Sequence, residues 1–274
     1  MKASSTEPAW VIKLTAILRR SFPARAAQRF VDMQGLDLAF RVAAQLFISV
    51  IPLMIVASAI SPVGGGKSLR ESLIRFIGLA NAPPAIMATL SGKGGLVRTD
   101  VTAAGVLVLL YSVSSLTRTL RRAYDRAWRL TRGGAKAFGA DLEWIVCLVV
   151  AATLSALIRS VLAKDGTGQH ILTVALLVLS FGFWLLTPYI LTVRRVTLSR
   201  LVVGAASLTI LMGILQIASS IYMPHEINTK FHQFGPIGVV FAVLSWLIVT
   251  SMVILLGIAI GAEAGGAPPV ASED

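Results

Sequence analysis

The chain has 274 residues, of which 55% are hydrophobic and only 14% charged, with a formal net charge of +12. Its mean hydropathy is +0.79. A water-soluble domain carries about a quarter charged residues, so this composition excludes an ordinary soluble enzyme and points to a polytopic membrane protein. One cysteine, Cys147, excludes an internal disulfide or a thiolate metal cage; in its apolar run it reads as a small buried side chain.

An apolar helix of about 20 residues, rising 1.5 Å per residue, crosses the hydrocarbon of a bilayer. Residues 1–37 precede the first such run and form a cytoplasmic N-terminal segment. Within it, "WVIKLTAILRRSF" sets Trp10, Leu14, Ile17 and Leu18 on one helical face, with Lys13, Arg19 and Arg20 off it. That pattern suits a helix lying in the membrane interface. Residues 38–262 form the transmembrane domain, with spans at about 38–61, 101–117, 142–160, 171–193, 201–223 and 237–262. Ala57-Ser58-Ala59 looks like a signal-cleavage site, but more membrane follows it and the preceding segment is too long, so the first span is retained. Between the first two spans, Leu69, Leu73, Ile74 and Ile77 make an amphipathic stretch that Pro83-Pro84 breaks, and Ala85 to Leu90 suits a second short helix. Residues 263–274 read as a disordered tail. The fold class is therefore all-α, a six-helix transmembrane bundle with amphipathic interfacial helices.

Lys and Arg set the orientation. With the N-terminus inside, the cytoplasmic pieces hold 16 of the 25 and the outer pieces 8. The excess puts both termini in the cytoplasm and accounts for most of the positive charge by topology, which argues against nucleic acid as a partner.

The first span contains "FRVAAQLFISVIPLM". At about 100° per residue, Arg41, Gln45, Ser49 and Pro52 fall within an arc of about 80°. Val42, Phe47, Val50, Leu53 and Met54 lie on other faces. Polar groups facing lipid are costly, so the stripe is expected to face the bundle interior or a wet cavity, with Pro52 freeing a carbonyl near Ile48. Arg41 either snorkels to the interface or meets an anion or lipid phosphate at a cavity mouth; Asp37 and Glu143 are the acids near enough to pair with it.

After the second span, "LTRTLRRAYDRAWRL" carries Arg118, Arg121, Arg122, Arg126 and Arg129 on one helical stripe, with Asp125 among them pairing locally. Leu116, Leu120, Ala123, Tyr124, Ala127 and Trp128 make the other face. The stripe is a positive-inside feature suited to docking on anionic headgroups, each basic residue being worth about 1 kcal/mol there. In the last span, Gly257 and Gly261 form a G-x-x-x-G, continued by Gly265, which allows close helix packing within the chain.

Sites for catalysis are not assembled. His225, Glu226 and His232 share an outer loop and His170 sits in another, short of a metal signature. No spans contain paired carboxylates, and no nucleophile, base and acid stand in a readable order. No catalytic residue, metal or cofactor is expected, and the protein is not expected to be an enzyme.

The chain resembles the YihY/BrkB family of bacterial inner-membrane proteins. Three blocks carry the resemblance: "AAQLFISVIPLMIVASAI" with its S-x-x-P; "SVSSLTRTLRRAYDRAW"; and "IYMPHEINTKFHQFGPIGVVFAVLSWLIVTSMVILLGIAIGAE", with Tyr222, Phe234-Gly235-Pro236, Gly238, Trp246 and Gly257. The family commonly has a glutamate two residues after the glycine aligned with Gly257; here Ala259 holds that position and Glu263 follows one turn later. The resemblance implies six spans in the inner membrane and a transporter or lipid- and amphiphile-handling role in envelope integrity, with anionic lipid headgroups as partners. The alternative is a non-transporting scaffold that recruits an envelope protein. A membrane-bound hydrolase or ribonuclease, a label some members carry, is the least supported by these residues.

Overall fold

Hydrocarbon cannot satisfy backbone N–H and C=O groups, so a chain this apolar closes them within helices. In the computed structural model, which describes residues 21–60, 99–131, 136–162 and 168–268, every regular element is a helix. They are α1 (Phe22–Asp32), α2 (Gly35–Ile60), α3 (Thr99–Ala127), α4 (Lys136–Leu162), α5 (Gly168–Leu191), α6 (Leu198–Phe234) and α7 (Pro236–Ala264). Among the described residues, four stretches are long and apolar enough to cross a membrane: Phe138–Val161, His170–Leu191, Leu198–Phe234 and Pro236–Ala264. The expected N-terminal interfacial helix, all but its last two residues, and the outer amphipathic segment lie outside the described residues.

The last helix is the hub. α7 packs along α6 and also touches α1, α2 and α3, while α3 reaches α2, α4 and α5. Within the α7 spanning window 44% of residues are buried, against 6% in that of α4, so α7 is the axis and α4 the rim. Small residues make this possible. A Cβ built on Gly261 would stand 2.7 Å from Gly204 Cα, and one on Gly257 would stand 2.4 Å from Leu208 Cδ2. Both glycines of the G-x-x-x-G therefore lie in the α6–α7 contact within one chain.

Two apolar clusters fill the interior. One gathers Leu120, Tyr124, Trp128, Trp144, Leu191 and Ile258 towards one end of the bundle. The other gathers Met223, Ile227, Val239, Val243, Trp246 and Ala43. Trp144 Nε1 donates to Thr187 Oγ1 at 3.2 Å, tying α4 to α5 within the first cluster.

Three expectations are corrected. The segment 224–236 is not an outer loop, because α6 continues to Phe234 through Pro224. Met223, Ile227 and Phe231 recur every four residues and pack on the second cluster, so an amphipathic face carries the helix on where hydropathy falls. His225, Glu226 and His232 thus ride on the last turns of α6, and Glu226 pairs with Lys230 at 3.8 Å. His170 is likewise helical, in α5. The chain then reverses at Gly235, which has φ of 62°, a value glycine adopts without a steric penalty.

The second correction concerns the polar stripe of α2. Gln45 and Ser49 do turn inwards, but Arg41 is exposed, and Val42, set on another face, is 1% exposed. Phe47 and Val50 pack against the second cluster. The buried arc of α2 is centred on Leu38, Ala39, Val42 and Ala43, and Arg41 lies just beyond its edge. Lipid is as apolar as a helix interface, so small residues that allow close approach decide the inner face more than hydrophobicity does. Pro52 lies in the stretch of α2 whose side chains are outside the description.

The third concerns the tail. Helix α7 runs to Ala264, and Ala267 beyond it is buried. Residues 269–274 lie outside the described residues.

The glycine contacts make a graded prediction. Gly261→Ala meets backbone and should cost about 1–3 kcal/mol by overpacking. Gly257→Ala meets a side chain that can rotate away, and should cost less. Thermal unfolding of the purified protein in detergent measures both.

Candidate functional site

Most charged residues of the described helices gather at one end of the bundle, where α1, α3, α5 and α7 finish and α4 and α6 begin. Arg121 pairs with Asp141 at 2.6 Å, joining α3 to α4. Arg194 pairs with Glu143 at 2.6 Å, just beyond α5; Glu143 therefore serves Arg194 and not Arg41.

Helix α1 supplies the deepest charge. Its sequence FPARAAQRFVD begins with proline in the first turn, where a missing N–H costs nothing. Ala26 and Arg29 form its buried face. Arg29 is 3% exposed, yet each part of its guanidinium has a partner. Nε and Nη2 donate to Glu263 Oε2 at 3.1 and 2.9 Å. Nη1 donates to the carbonyl of Ala127 at 2.7 Å, the last residue of α3. Nη2 also donates to the carbonyls of Ala267 and Pro268, at 3.3 and 3.0 Å. Helix C-termini leave carbonyls without partners and carry a partial negative charge. One arginine therefore closes the end of α3 and the chain beyond α7 together. Arg25 completes the group, its Nε 2.6 Å from Glu263 Oε1.

Beside this clamp, between α1 and the end of α3, is a cavity of about 600 Å³. Arg29, Arg122, Arg126 and Arg129 line it, with Asp32 and Asp125 as the acids. The walls thus carry a net positive charge. Arg126 Nη1 donates to Met33 O at 3.1 Å and Gln34 Oε1 at 2.9 Å, closing the end of α1. Arg129 reaches Asp32 only at 3.9 Å, a loose pair. Both helices end in left-handed turns, at Gln34 with φ of 57° and Arg129 with φ of 52°, and these turns bring the two ends face to face.

The expected basic stripe is therefore divided. Arg122, Arg126 and Arg129 turn to the cavity, Arg121 turns to α4, and Arg118 is exposed. Asp125 lines the cavity. Burial pushes its carboxyl above the usual carboxylate range, and the charges of Arg121 and Arg195 only partly offset this. Next to it, burial also raises the Tyr124 phenol, whose hydroxyl has no hydrogen-bond partner.

Gln45 and Ser49 belong to a different place, the α2–α3 contact. Gln45 Nε2 donates to Ser115 Oγ at 3.0 Å, and Ser49 Oγ donates to Gln45 O at 2.6 Å. Neither lines the arginine cavity, and neither does Arg41. Among the described residues, no group of three His, Cys, Asp or Glu stands close enough to hold a metal.

A model of the family described as Virulence factor BrkB matches residues 26–269. The chain belongs to this family. The BrkB match takes in Arg29, the whole of the cavity lining and Glu263. No curated protein and no solved structure matches the chain significantly.

Arg29, Arg25 and Glu263 were not singled out as a site by sequence. The signal at α1 was available: proline at its start, and Ala26, Arg29 and Met33 recurring along one face. Its partner lies 234 residues away, a pairing that no local pattern carries.

Removing one partner of a buried ion pair strands the other and costs about 3–5 kcal/mol. Arg29→Met should fall in that range, while Arg25→Met, at the exposed edge, should cost under about 1 kcal/mol. Arg29→Lys should not restore stability, since an ammonium cannot span the same fork of acceptors. Unfolding midpoints in detergent separate the three variants.

Proposed function

We propose that this BrkB-family protein is a six-span protein of the bacterial inner membrane, with both termini cytoplasmic. It handles lipids or related amphiphiles in support of envelope integrity and does no covalent chemistry. The observation that carries this reading is the arginine-lined cavity at the end of the bundle, at the depth where helices give way to connecting turns.

Headgroup phosphate suits such a cavity. Guanidinium groups bind phosphate oxygens in pairs through planar, fixed donors. Arg29 and Arg126 are held by carbonyls and so stay in place. Arg122 and Arg129 are exposed at the rim and are free to turn towards an incoming anion once the loose Arg129–Asp32 pair gives way. The concentration of Lys and Arg in the segments assigned to the cytoplasm supports the orientation. The lengths of α2 and α3, 26 and 29 residues, suit the two further spans.

Titrating the delipidated protein with phosphatidylglycerol, followed by native mass spectrometry, tests the reading. Replacing both Arg122 and Arg129 by Gln should weaken binding about thirty-fold, at about 1 kcal/mol for each arginine. Phosphatidylcholine should bind weakly in every variant. Inorganic phosphate should compete poorly if the site takes a lipid and well if it takes the free anion. Equal binding of phosphatidylglycerol by parent and variant, or recovery of a stoichiometric envelope partner in place of lipid, contradicts the reading.

Asp125 adds a pH dependence. Its carboxyl binds a proton at higher pH than an ordinary one, so its negative charge is lost early on acidification. The ionised form opposes both folding and anion binding; its cost is present at neutral pH and disappears as pH falls through the raised value. Phosphatidylglycerol stays ionised while Asp125 takes up its proton. Its affinity should therefore rise on acidification from neutral pH, and Asp125→Asn should flatten the change while raising affinity at neutral pH.

A further inference from the structure

The buried hydroxyls on α5, α6 and α7, Ser219 apart, follow one rule. Thr187, Thr209, Thr250 and Ser251 each donate to the carbonyl four residues back, at 2.7 to 2.9 Å. A hydroxyl taken into apolar surroundings is thereby satisfied by its own helix. Ser219 on α6 breaks the rule. It is 3% exposed, and its Oγ makes no hydrogen bond. A buried hydroxyl without a partner costs about 1–3 kcal/mol.

Ser219 lines a cavity of about 170 Å³ between α5, α6 and α7. Trp184, Leu215 and Trp246 supply apolar walls, and Gln216 stands at the edge, exposed. The surrounding surface of α6 is greasy: Ile214, Ile217 and Ile221 are exposed. An amide among such neighbours is costly unless something in the membrane meets it. Among the described residues, no charged side chain lines this cavity. About 27 Å of helix separates Trp246 from Ala264, where the arginine clamp sits, so the two cavities are separate.

We propose that this cavity binds the hydroxyl-bearing end of an uncharged, lipid-soluble alcohol. The hydroxyl both donates and accepts, which matches the serine hydroxyl and the glutamine amide, each of which does the same. Without a charged wall the site gives no advantage to an ionised headgroup. A cavity of about 150 Å³ takes a benzene ring, so this one holds a group of about that size, with the rest of the molecule leading out between the helices past Gln216.

Two brominated probes of matched shape test the proposal, 4-bromobenzyl alcohol and 4-bromotoluene. Bromine in contact with an indole quenches its fluorescence, and Trp184 and Trp246 form the walls. Both probes are titrated into the full chain in detergent, with concentrations expressed per micelle. The alcohol should quench saturably, with a midpoint about five-fold lower than that of bromotoluene, the ratio expected for one hydrogen bond. Ser219→Ala should bring the two midpoints together. The double variant Trp184→Phe/Trp246→Phe should lose most of the saturable quenching. Should Ser219→Ala fail to fold, Gln216→Leu at the exposed edge serves in its place and should reduce the preference. Equal quenching by both probes, a preference that survives in the serine and glutamine variants, or saturable quenching that persists without the two tryptophans overturns the proposal.

Discussion

A single buried guanidinium holds the base of this bundle together. Arg29 binds Glu263, the end of α3 and the chain beyond α7 at once. Neither the cation nor the carboxylate would be tolerated alone in such surroundings, because an unpaired buried charge is among the costliest groups a fold can contain. Together they bring the first and last described helices to one place, and Arg29 also lines the arginine cavity. The same residue is thus an architectural bond and part of a cationic surface, and the site's rigidity follows from the bond.

The rest of the cavity is built by the same means. Helix ends expose carbonyls, and arginines close them: Arg29 at α3, Arg126 at α1. Satisfying helix C-termini with guanidinium groups concentrates positive charge where the chain turns. Asp32 and Asp125 balance part of it, and the remainder is available to an anion. Along its length α7 packs through Gly257 and Gly261 and through larger apolar side chains such as Trp246, Leu255 and Ile258, so the bundle is held by apolar packing and the site by charge.

How much of this the sequence revealed depends on the range of the interaction. The all-helical class and the helices α4 to α7 follow from long apolar runs, and the arginine spacing after the second span marks a cationic helix face. The G-x-x-x-G of α7 points to close packing, and Gly257 and Gly261 do lie against α6. Other features were hidden for physical reasons. Arg41 is exposed, not inward, because a membrane helix has two apolar surroundings and its inner face is chosen by packing. The continuation of α6 to Phe234 was masked by Pro224 and its charged neighbours, although Met223, Ile227 and Phe231 mark the buried side. The Arg29–Glu263 bond joins the first and last described helices, and only the fold brings them together.

A double-mutant cycle between Arg29 and Glu263, read by unfolding in detergent, tests the central claim most directly. If the pair anchors the base of the bundle, the coupling energy should exceed about 2 kcal/mol, the upper part of the range for directly interacting residues. A coupling energy within about 0.5 kcal/mol of zero, as for independent sites, would contradict the account.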